Sequence, residues 1–164
     1  MKKQIYFTFL ASFVSVFAIA QTSSKTETVT LNLANVVDIA LASTAGNSFT
    51  FNDVSTYDAG ITNASATTLT VKSNRAWNVN VKSQTANFTK SAGTTDMPAN
   101  VLSVKANAES TFLPLSTTDQ LLKSGSRGGG TGDNVFAVDY KATPAYNYDA
   151  ATYTIVIEYT ISQQ

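Results

Sequence analysis

Hydrophobic and polar residues alternate with a period of two along most of the chain after residue 27. Successive side chains of a β-strand point to opposite faces, so this pattern predicts strands with one apolar face. The clearest alternating segments are residues 28–33, 37–41, 48–52, 68–72, 76–82, 135–141 and 152–161, with shorter ones around Phe88, Leu102 and Leu121. No segment after residue 20 has an apolar stripe at helical spacing over ten or more positions, so we expect at most one short helical turn.

The number and spacing of these segments predict an all-β fold, a single Ig-like antiparallel β-sandwich. A small barrel is the alternative, and the uneven strand lengths and irregular connections favour the sandwich. Residues 73–75 have the composition of a tight turn, which predicts a β-hairpin of the strands on either side. Trp77 shares the apolar face of its strand with Val79 and Val81, which predicts that it is buried.

The first twenty residues have a different pattern. Lys2 and Lys3 precede an apolar run of about fifteen residues that ends in Ala18-Ile19-Ala20. This layout is typical of a cleaved secretory signal peptide, and the run is shorter than the roughly 20 residues that span a bilayer. We therefore expect residues 1–20 to be a signal peptide and residues 21–164 to form one β-sandwich domain with no membrane span. Export predicts a protein of the bacterial cell surface or the extracellular space, with the periplasm as the alternative.

Charge and composition exclude several classes of function. Removal of residues 1–20 leaves nine basic and eleven acidic residues, with no basic block, so a nucleic-acid partner is not expected. The chain has no cysteine and no histidine, which removes disulfides, Cys nucleophiles, His-assisted catalysis and the usual zinc and copper ligands. Glycoside hydrolysis needs two carboxylates close together, and Glu27, Glu109 and Glu158 are far apart in sequence. Asp53 and Asp58 match no calcium loop and are interpreted as turn residues. We expect no enzymatic activity, metal or cofactor.

Three residues are candidate ligand contacts. Tyr146 and Tyr148 lie in a loop after Pro144, where exposed aromatic rings could bind a sugar or a neighbouring subunit. Arg127 is the one positive charge in the glycine-rich loop of residues 124–134. That loop lacks the lysine and the following helix of a phosphate-binding P-loop, so we interpret it as an inter-strand loop, with ligand contact as the alternative.

The end of the chain resembles that of several bacterial surface proteins. Residues 146–160 read YNYDAATYTIVIEYT. This segment resembles the closing strand of fimbrial pilin-like, spore-coat-U-like and WxL-type domains, which commonly have a Pro/Ala-Gly-x-Tyr turn before a Thr-rich alternating strand. The chain has Ala150-Ala151-Thr152-Tyr153 there and lacks the glycine, and it also lacks the cysteine pair of pilins and the Trp-x-Leu motif. The resemblance covers about the last 20 residues and implies an Ig-like sandwich with a role in surface structure or fibres.

These observations predict an exported, non-enzymatic protein with a structural or adhesive role at the bacterial cell surface, a fibre subunit being one form of that role. Residues 26–33 begin just after the predicted cleavage site and can pair within their own sheet or complete the sheet of a neighbour, because an extended strand adds readily to an open edge. The expected partners are further copies of the chain or other surface proteins. The alternative function is a carbohydrate-binding module in which Tyr146, Tyr148 and the loop of residues 124–134 contact a glycan.

Overall fold

The computed structural model describes residues 23–43, 47–93 and 96–164. The predicted signal peptide, residues 1–20, lies outside the described residues. The chain divides into two units, Met1–Leu33 and Ala34–Gln164. The described part of the first unit has no regular secondary structure, and all the elements below belong to the second.

The second unit consists mainly of short strands joined by irregular connections. The strands are β1 (Val37–Ser43), β2 (Ile61–Ser73), β3 (Trp77–Ser83), β4 (Thr89–Lys90), β5 (Leu102–Ala106), β6 (Leu113–Pro114), β7 (Gln120–Gly125), β8 (Gly128–Gly129), β9 (Val135–Ala142), β10 (Tyr153–Thr154) and β11 (Ile157–Gln163). One helix, α1 (Val54–Ala59), and two 3-10 turns, Ala99–Val101 and Gly132–Asn134, complete the regular structure of the described residues. None of the helices described is long and apolar enough to cross a membrane.

Two antiparallel sheets contain most of the strands. The larger has the order β1-β2-β9-β5-β6, with β8 also paired to β2, and the smaller has the order β11-β3-β7. The short strands β10 and β4 form a separate pair. Inward side chains of both sheets form one hydrophobic core, so the predicted all-β antiparallel sandwich is confirmed.

The core is densest where the middles of the two sheets meet. Leu69 and Val71 of β2 and Val79 and Val81 of β3 are completely buried. Trp77 is also completely buried, as predicted, and its ring stacks on Phe136 of β9 with the centroids 6.1 Å apart. The alternation along β2, β3 and β9 therefore identifies the faces that pack in the core.

Several predictions about the pairing of strands are wrong. Residues 73–75 do not close a hairpin, because β2 pairs with β1 and β9 whereas β3 pairs with β11 and β7. This turn instead carries the chain from one sheet to the other. The alternating run of residues 152–161 is also interrupted, since β10 and β11 belong to different sheets and residues 155–156 lie in neither strand.

Two segments predicted as strands have no strand structure. Residues 28–33 and 48–52 alternate in the sequence, but the structure has no regular element there. A strand exists only where a neighbour completes its backbone hydrogen bonds, and alternation alone does not supply one. The short helix α1 begins after Asp53, whose side chain caps it by accepting a bond from the Thr56 N–H.

Candidate functional site

The outer edge of β11 has no strand hydrogen-bonded to it within the described residues. β11 is the end strand of the smaller sheet. In its ladder with β3, the Gln84 N–H donates to Val156 O and the Gln164 N–H donates to Ala76 O. Hydrogen-bonded pairs recur at every second residue of an antiparallel ladder, so the even-numbered residues of β11 direct their backbone groups at β3. The residues whose backbone groups point outward are Ile157, Tyr159, Ile161 and Gln163.

β1 is the edge strand of the larger sheet that lies nearest to β11. The Gln163 side chain of β11 donates through Nε2 to Val36 O, 2.9 Å away, just before β1 begins. Leu41 of β1 lies opposite Leu69 in the ladder with β2, so both side chains face the interior. Leu41 is nevertheless 56% exposed, whereas Leu69 is completely buried. An inward leucine this exposed means that the sandwich is open beside the last residues of β1, whereas β1 and β11 approach each other where Gln163 bonds to Val36.

A cleft of about 880 Å³ occupies this opening. Leu41 and Ser43 of β1 line it, as do Ile157 and Tyr159 of β11. Aromatic rings form much of the remaining wall, namely those of Phe49, Phe51, Tyr57, Phe88, Tyr148 and Tyr153. Asp149 is the one charged side chain among the described residues of the lining, and Lys90 pairs with it at 2.9 Å. The cleft therefore combines aromatic and aliphatic side chains with neutral hydroxyl and amide groups, and it carries little charge.

A chain of hydroxyl groups lies in the wall of the cleft. The hydroxyl oxygens of Tyr159 and Tyr140 are 2.6 Å apart, and the Tyr140 hydroxyl donates to Thr67 Oγ1 at 3.0 Å. Asn47 Nδ2 also donates to Thr67 Oγ1, at 3.1 Å. Burial, followed by the charge and the hydrogen bond of Tyr140, raises the pKa of Tyr159 far above that of a free tyrosine. These bonds link β2, β9 and β11.

The structure places the two predicted tyrosines near one end of this cleft. Tyr148 is part of its lining. Tyr146 is 61% exposed and stacks on Tyr57 of α1, with the ring centroids 5.2 Å apart and the planes at 16°. Its hydroxyl donates to Asp58 Oδ1 at 3.0 Å. Partial loss of hydration, followed by this bond to Asp58, raises the pKa of Tyr146.

Arg127 lies far from both tyrosines. It precedes β8, which pairs with the end of β2 at Ser73, whereas the tyrosine loop follows β9, which pairs with the start of β2 at Ile61. Extended backbone rises about 3.3 Å per residue, so the two ends of β2 are roughly 35–40 Å apart. The structure does not bring Arg127 into one site with Tyr146 and Tyr148. The loop around Arg127 instead packs on the core, where Trp77 Nε1 donates to Ser126 O at 2.9 Å.

Sequence reasoning missed the aliphatic residues that line the opening, above all Leu41 and Ile157. Both occupy inward positions of alternating segments, which predicts burial in a closed sandwich. Ile157 is only partly buried. The available signal was an unpaired alternating segment elsewhere in the chain, and residues 26–33 are such a segment.

No group of three or more acidic, histidine or cysteine side chains in the described ranges is close enough to hold a metal ion. Glu158, considered above for hydrolysis, lies 3.4 Å from Lys82 in an ion pair on the outer face of the smaller sheet. No protein-family model matches this chain, and a search of curated proteins gives no significant match. The likeness of the last 20 or so residues to bacterial surface proteins therefore stays a prediction from the sequence.

Proposed function

We propose that this chain is an exported, non-enzymatic protein with a structural or adhesive role at the bacterial cell surface, and that it assembles by addition of a strand to the open edge of β11. The pattern of residues 1–20 supports export. The observation that carries the proposal is the opening between β1 and β11, where the inward side chain of Leu41 is exposed beside an unpaired strand edge.

An unpaired edge above an exposed part of the core favours strand addition. Four residues of β11 direct backbone groups away from their own sheet, and an added strand would satisfy them. Natural proteins usually protect such edges with charged residues, proline or a bulge. The outward-pointing backbone positions of β11 carry Ile157, Tyr159, Ile161 and Gln163, which offer no such protection. Main-chain bonds would give affinity, and the cleft would select the inward side chains of the added strand.

A charge at the open edge tests this proposal. Ile161→Lys places a lysine where a new strand would pair, a substitution that natural sheets use to prevent pairing. Thr160→Lys is the matched control, because Thr160 is exposed on the outer face of the same strand. We expect the exported wild-type protein to form concentration-dependent assemblies in light scattering and electron microscopy. Thr160→Lys should do the same, and Ile161→Lys should remain monomeric.

Fluorescence of Trp77, the single tryptophan of the chain, checks that each variant retains the core. A wild-type protein that stays monomeric at high concentration would overturn the proposal. A folded Ile161→Lys variant that assembles as readily as the wild type would overturn it too. Fractionation of cells with an antibody to the β-sandwich tests the proposed location.

A second candidate function is glycan binding, which the exposed ring of Tyr146 favours. An aromatic ring held flat against Tyr57 is a rigid platform on which a sugar ring can stack. Tyr148 lies in the cleft beside it. A glycan array tests this function, with Tyr146→Ala and Tyr148→Ala expected to abolish any binding. Binding that is unchanged in both variants would count against this site.

A further inference from the structure

The cleft beside the end of β1 has the size of a site for a small molecule. Its volume of about 880 Å³ lies within the roughly 300–1,000 Å³ that is usual for ligand pockets. Aromatic rings from three separate parts of the chain line it: Phe51 and Tyr57 before β2, Phe88 before β4, and Tyr153 in β10. Aromatic side chains favour stacked or edge-on contact with other rings. The walls therefore suit a compact molecule with a flat, apolar ring system.

The charges around the cleft favour a neutral molecule. Asp149 is the one charged side chain among the described residues of the lining, and its carboxylate is already paired with the Lys90 ammonium, 2.9 Å away. The Asp149 side chain is also 86% exposed, so it lies at the solvent side of the wall. An ion that entered the cleft would lose hydration without gaining a free counter-charge from the described wall, which is unfavourable.

The row of hydroxyl groups determines which polar group of a ligand can bind. The Tyr140 hydroxyl has one hydrogen and donates it to Thr67 Oγ1 at 3.0 Å. Tyr159 must therefore be the donor in its 2.6 Å contact with Tyr140. The Tyr159 oxygen then has no hydrogen left for a ligand, but it can still accept one. A ligand hydroxyl group, which donates, fits this position, whereas an ether or a ketone only accepts.

The wall opposite β1 is held in place without a ligand. The Tyr153 hydroxyl donates to Asp149 O at 2.9 Å, and the Lys90–Asp149 ion pair joins the same segment to β4. Tyr153 and Thr154 also pair with β4 as β10. A site whose walls are already ordered loses little conformational entropy when it binds a ligand.

We propose that the cleft beside the end of β1 binds an uncharged, hydroxylated aromatic molecule of the phenol class, with its rings between the aromatic walls and its hydroxyl group donating to the Tyr159 oxygen. Such binding is independent of strand addition at β11, because it uses the interior of the cleft and not the backbone groups of the strand edge.

Three probes with the same ring system test the chemistry of the ligand on the wild-type exported protein. They are 2-naphthol, which donates, 2-methoxynaphthalene, which only accepts, and 2-naphthoate, which is an anion. Isothermal titration calorimetry at neutral pH should give the lowest dissociation constant for 2-naphthol. Loss of the donor should weaken binding by about fivefold. The anion should bind more weakly by about tenfold or more. Absence of 2-naphthol binding, or equal binding of all three probes, would overturn the proposal.

Variants locate the bound probe. Tyr159→Phe keeps the ring and removes the oxygen, so the preference for 2-naphthol over 2-methoxynaphthalene should fall to about onefold. Leu41→Glu places a charge in the cleft and should weaken 2-naphthol binding by about fivefold or more. Leu121→Glu is the matched control, because Leu121 is 54% exposed against 56% for Leu41 and lies on β7, the opposite edge strand of the smaller sheet. Its affinity should stay within about twofold of the wild type.

A preference for 2-naphthol that persists in Tyr159→Phe would contradict the bond to Tyr159, and equal losses in Leu41→Glu and Leu121→Glu would place the probe outside the cleft. Fluorescence of Trp77 in the ligand-free variants checks that they are folded. Methyl glucoside is a further probe, and binding of it in place of 2-naphthol would overturn the phenol class in favour of a glycan.

The variant Ile161→Lys separates this proposal from the proposed function. Ile161 is not among the described residues that line the cleft, so Ile161→Lys should bind 2-naphthol within about twofold of the wild type. If that variant assembles like the wild type and binds 2-naphthol, strand addition fails and the cleft site stands. If it stays monomeric and neither it nor the wild type binds 2-naphthol, strand addition stands and the cleft site fails.

Discussion

Trp77 shows how strongly single residues are constrained in the closed part of the sandwich. Its Nε1 donates to Asn134 Oδ1 at 2.7 Å as well as to Ser126 O, so the buried N–H is satisfied twice. Gly125 of β7 lies directly opposite Trp77 in the ladder with β3. A Cβ at Gly125 would clash with ring atoms of Trp77, so this position is restricted to glycine by contact with the indole.

We expect Gly125→Ala to lower the free energy of unfolding by about 1–3 kcal/mol, because the indole must shift within a packed core. Gly129→Ala is the control, since no atom lies within 4 Å of the Cβ it would add. It should change the free energy of unfolding by no more than about 0.5 kcal/mol. Urea unfolding followed by Trp77 fluorescence measures both, and equal losses in the two variants would contradict the role of the indole contact.

Tyr159 makes the folded protein less stable at alkaline pH. Burial raises its pKa in the folded state above the ordinary value near 10. Between these two pKa values the unfolded chain loses the proton and the folded chain keeps it, so stability falls as the pH rises. The contribution is therefore complete below about pH 10 and is lost progressively above it.

We expect the free energy of unfolding of Tyr159→Phe to fall less steeply above pH 10 than that of the wild type. Where the folded protein keeps the Tyr159 proton and the unfolded chain has lost it, the free energy of unfolding falls by at most about 1.4 kcal/mol per pH unit. Partial exposure of Tyr159 makes the difference between the two proteins smaller. Urea unfolding at a series of pH values from neutral to about 11 measures the two slopes. Identical slopes above pH 10 would show that Tyr159 ionises equally easily in the folded and unfolded chains.

At the scale of the strand, β2 contains a β-bulge in its pairing with β9, and a side chain of β9 stabilises this bulge. Its register with β9 shifts between Asn63 and Thr67, and Ser65 there has a positive φ of 52°. Asp139 of β9 accepts a bond from the Ser65 N–H at 2.8 Å and forms an ion pair with Lys105 at 3.3 Å. Asp139 is buried, so both partners depend on its carboxylate.

We expect Asp139→Ala to lower the free energy of unfolding by about 2–4 kcal/mol, because it leaves the Ser65 N–H without its acceptor and the Lys105 ammonium without its counter-charge. Asp139→Asn should cost less, since its amide oxygen can still accept from Ser65 while the charge is lost. Urea unfolding of the two variants measures the difference. Equal costs would mean that the charge on Asp139, rather than the bond to the bulge, carries the contribution.

The strands also show which features of the fold could be predicted from the sequence and which could not. Alternation correctly identified the buried faces at Val79 and Val138, because burial of one face is a local property of a strand. It failed to identify the partner of β3, because pairing depends on distant strands such as β11. The turn at residues 73–75 has hairpin composition but crosses between sheets, and nothing local distinguishes the two outcomes.

At the scale of the molecule, the sandwich is closed in its middle and open along one side. The sequence predicted the sandwich and the unusual segment of residues 26–33, but it could not predict the opening. Leu41 has the pattern of a core residue, but it is exposed because it lines the cleft at the end of β1. Of the predicted ligand contacts, Tyr148 lies in this cleft because the loop after β9 returns to it, whereas Arg127 follows β7 to the other end of β2.

Residues 26–33 are the segment that the sequence offers for pairing with a neighbour, and proteolysis can measure whether assembly protects them. In dilute protein we expect chymotrypsin to cut first after Leu31 and Leu33, because both are exposed and the segment has no regular structure. At concentrations that support assembly, pairing with β11 should slow these cuts by about tenfold or more, because a paired strand must dissociate before cleavage. Trypsin cleavage after Lys25, just before the pairing segment, is the control and should slow much less. Cleavage after Leu31 at one rate across the whole concentration range would mean that the segment remains unpaired in every state of the protein.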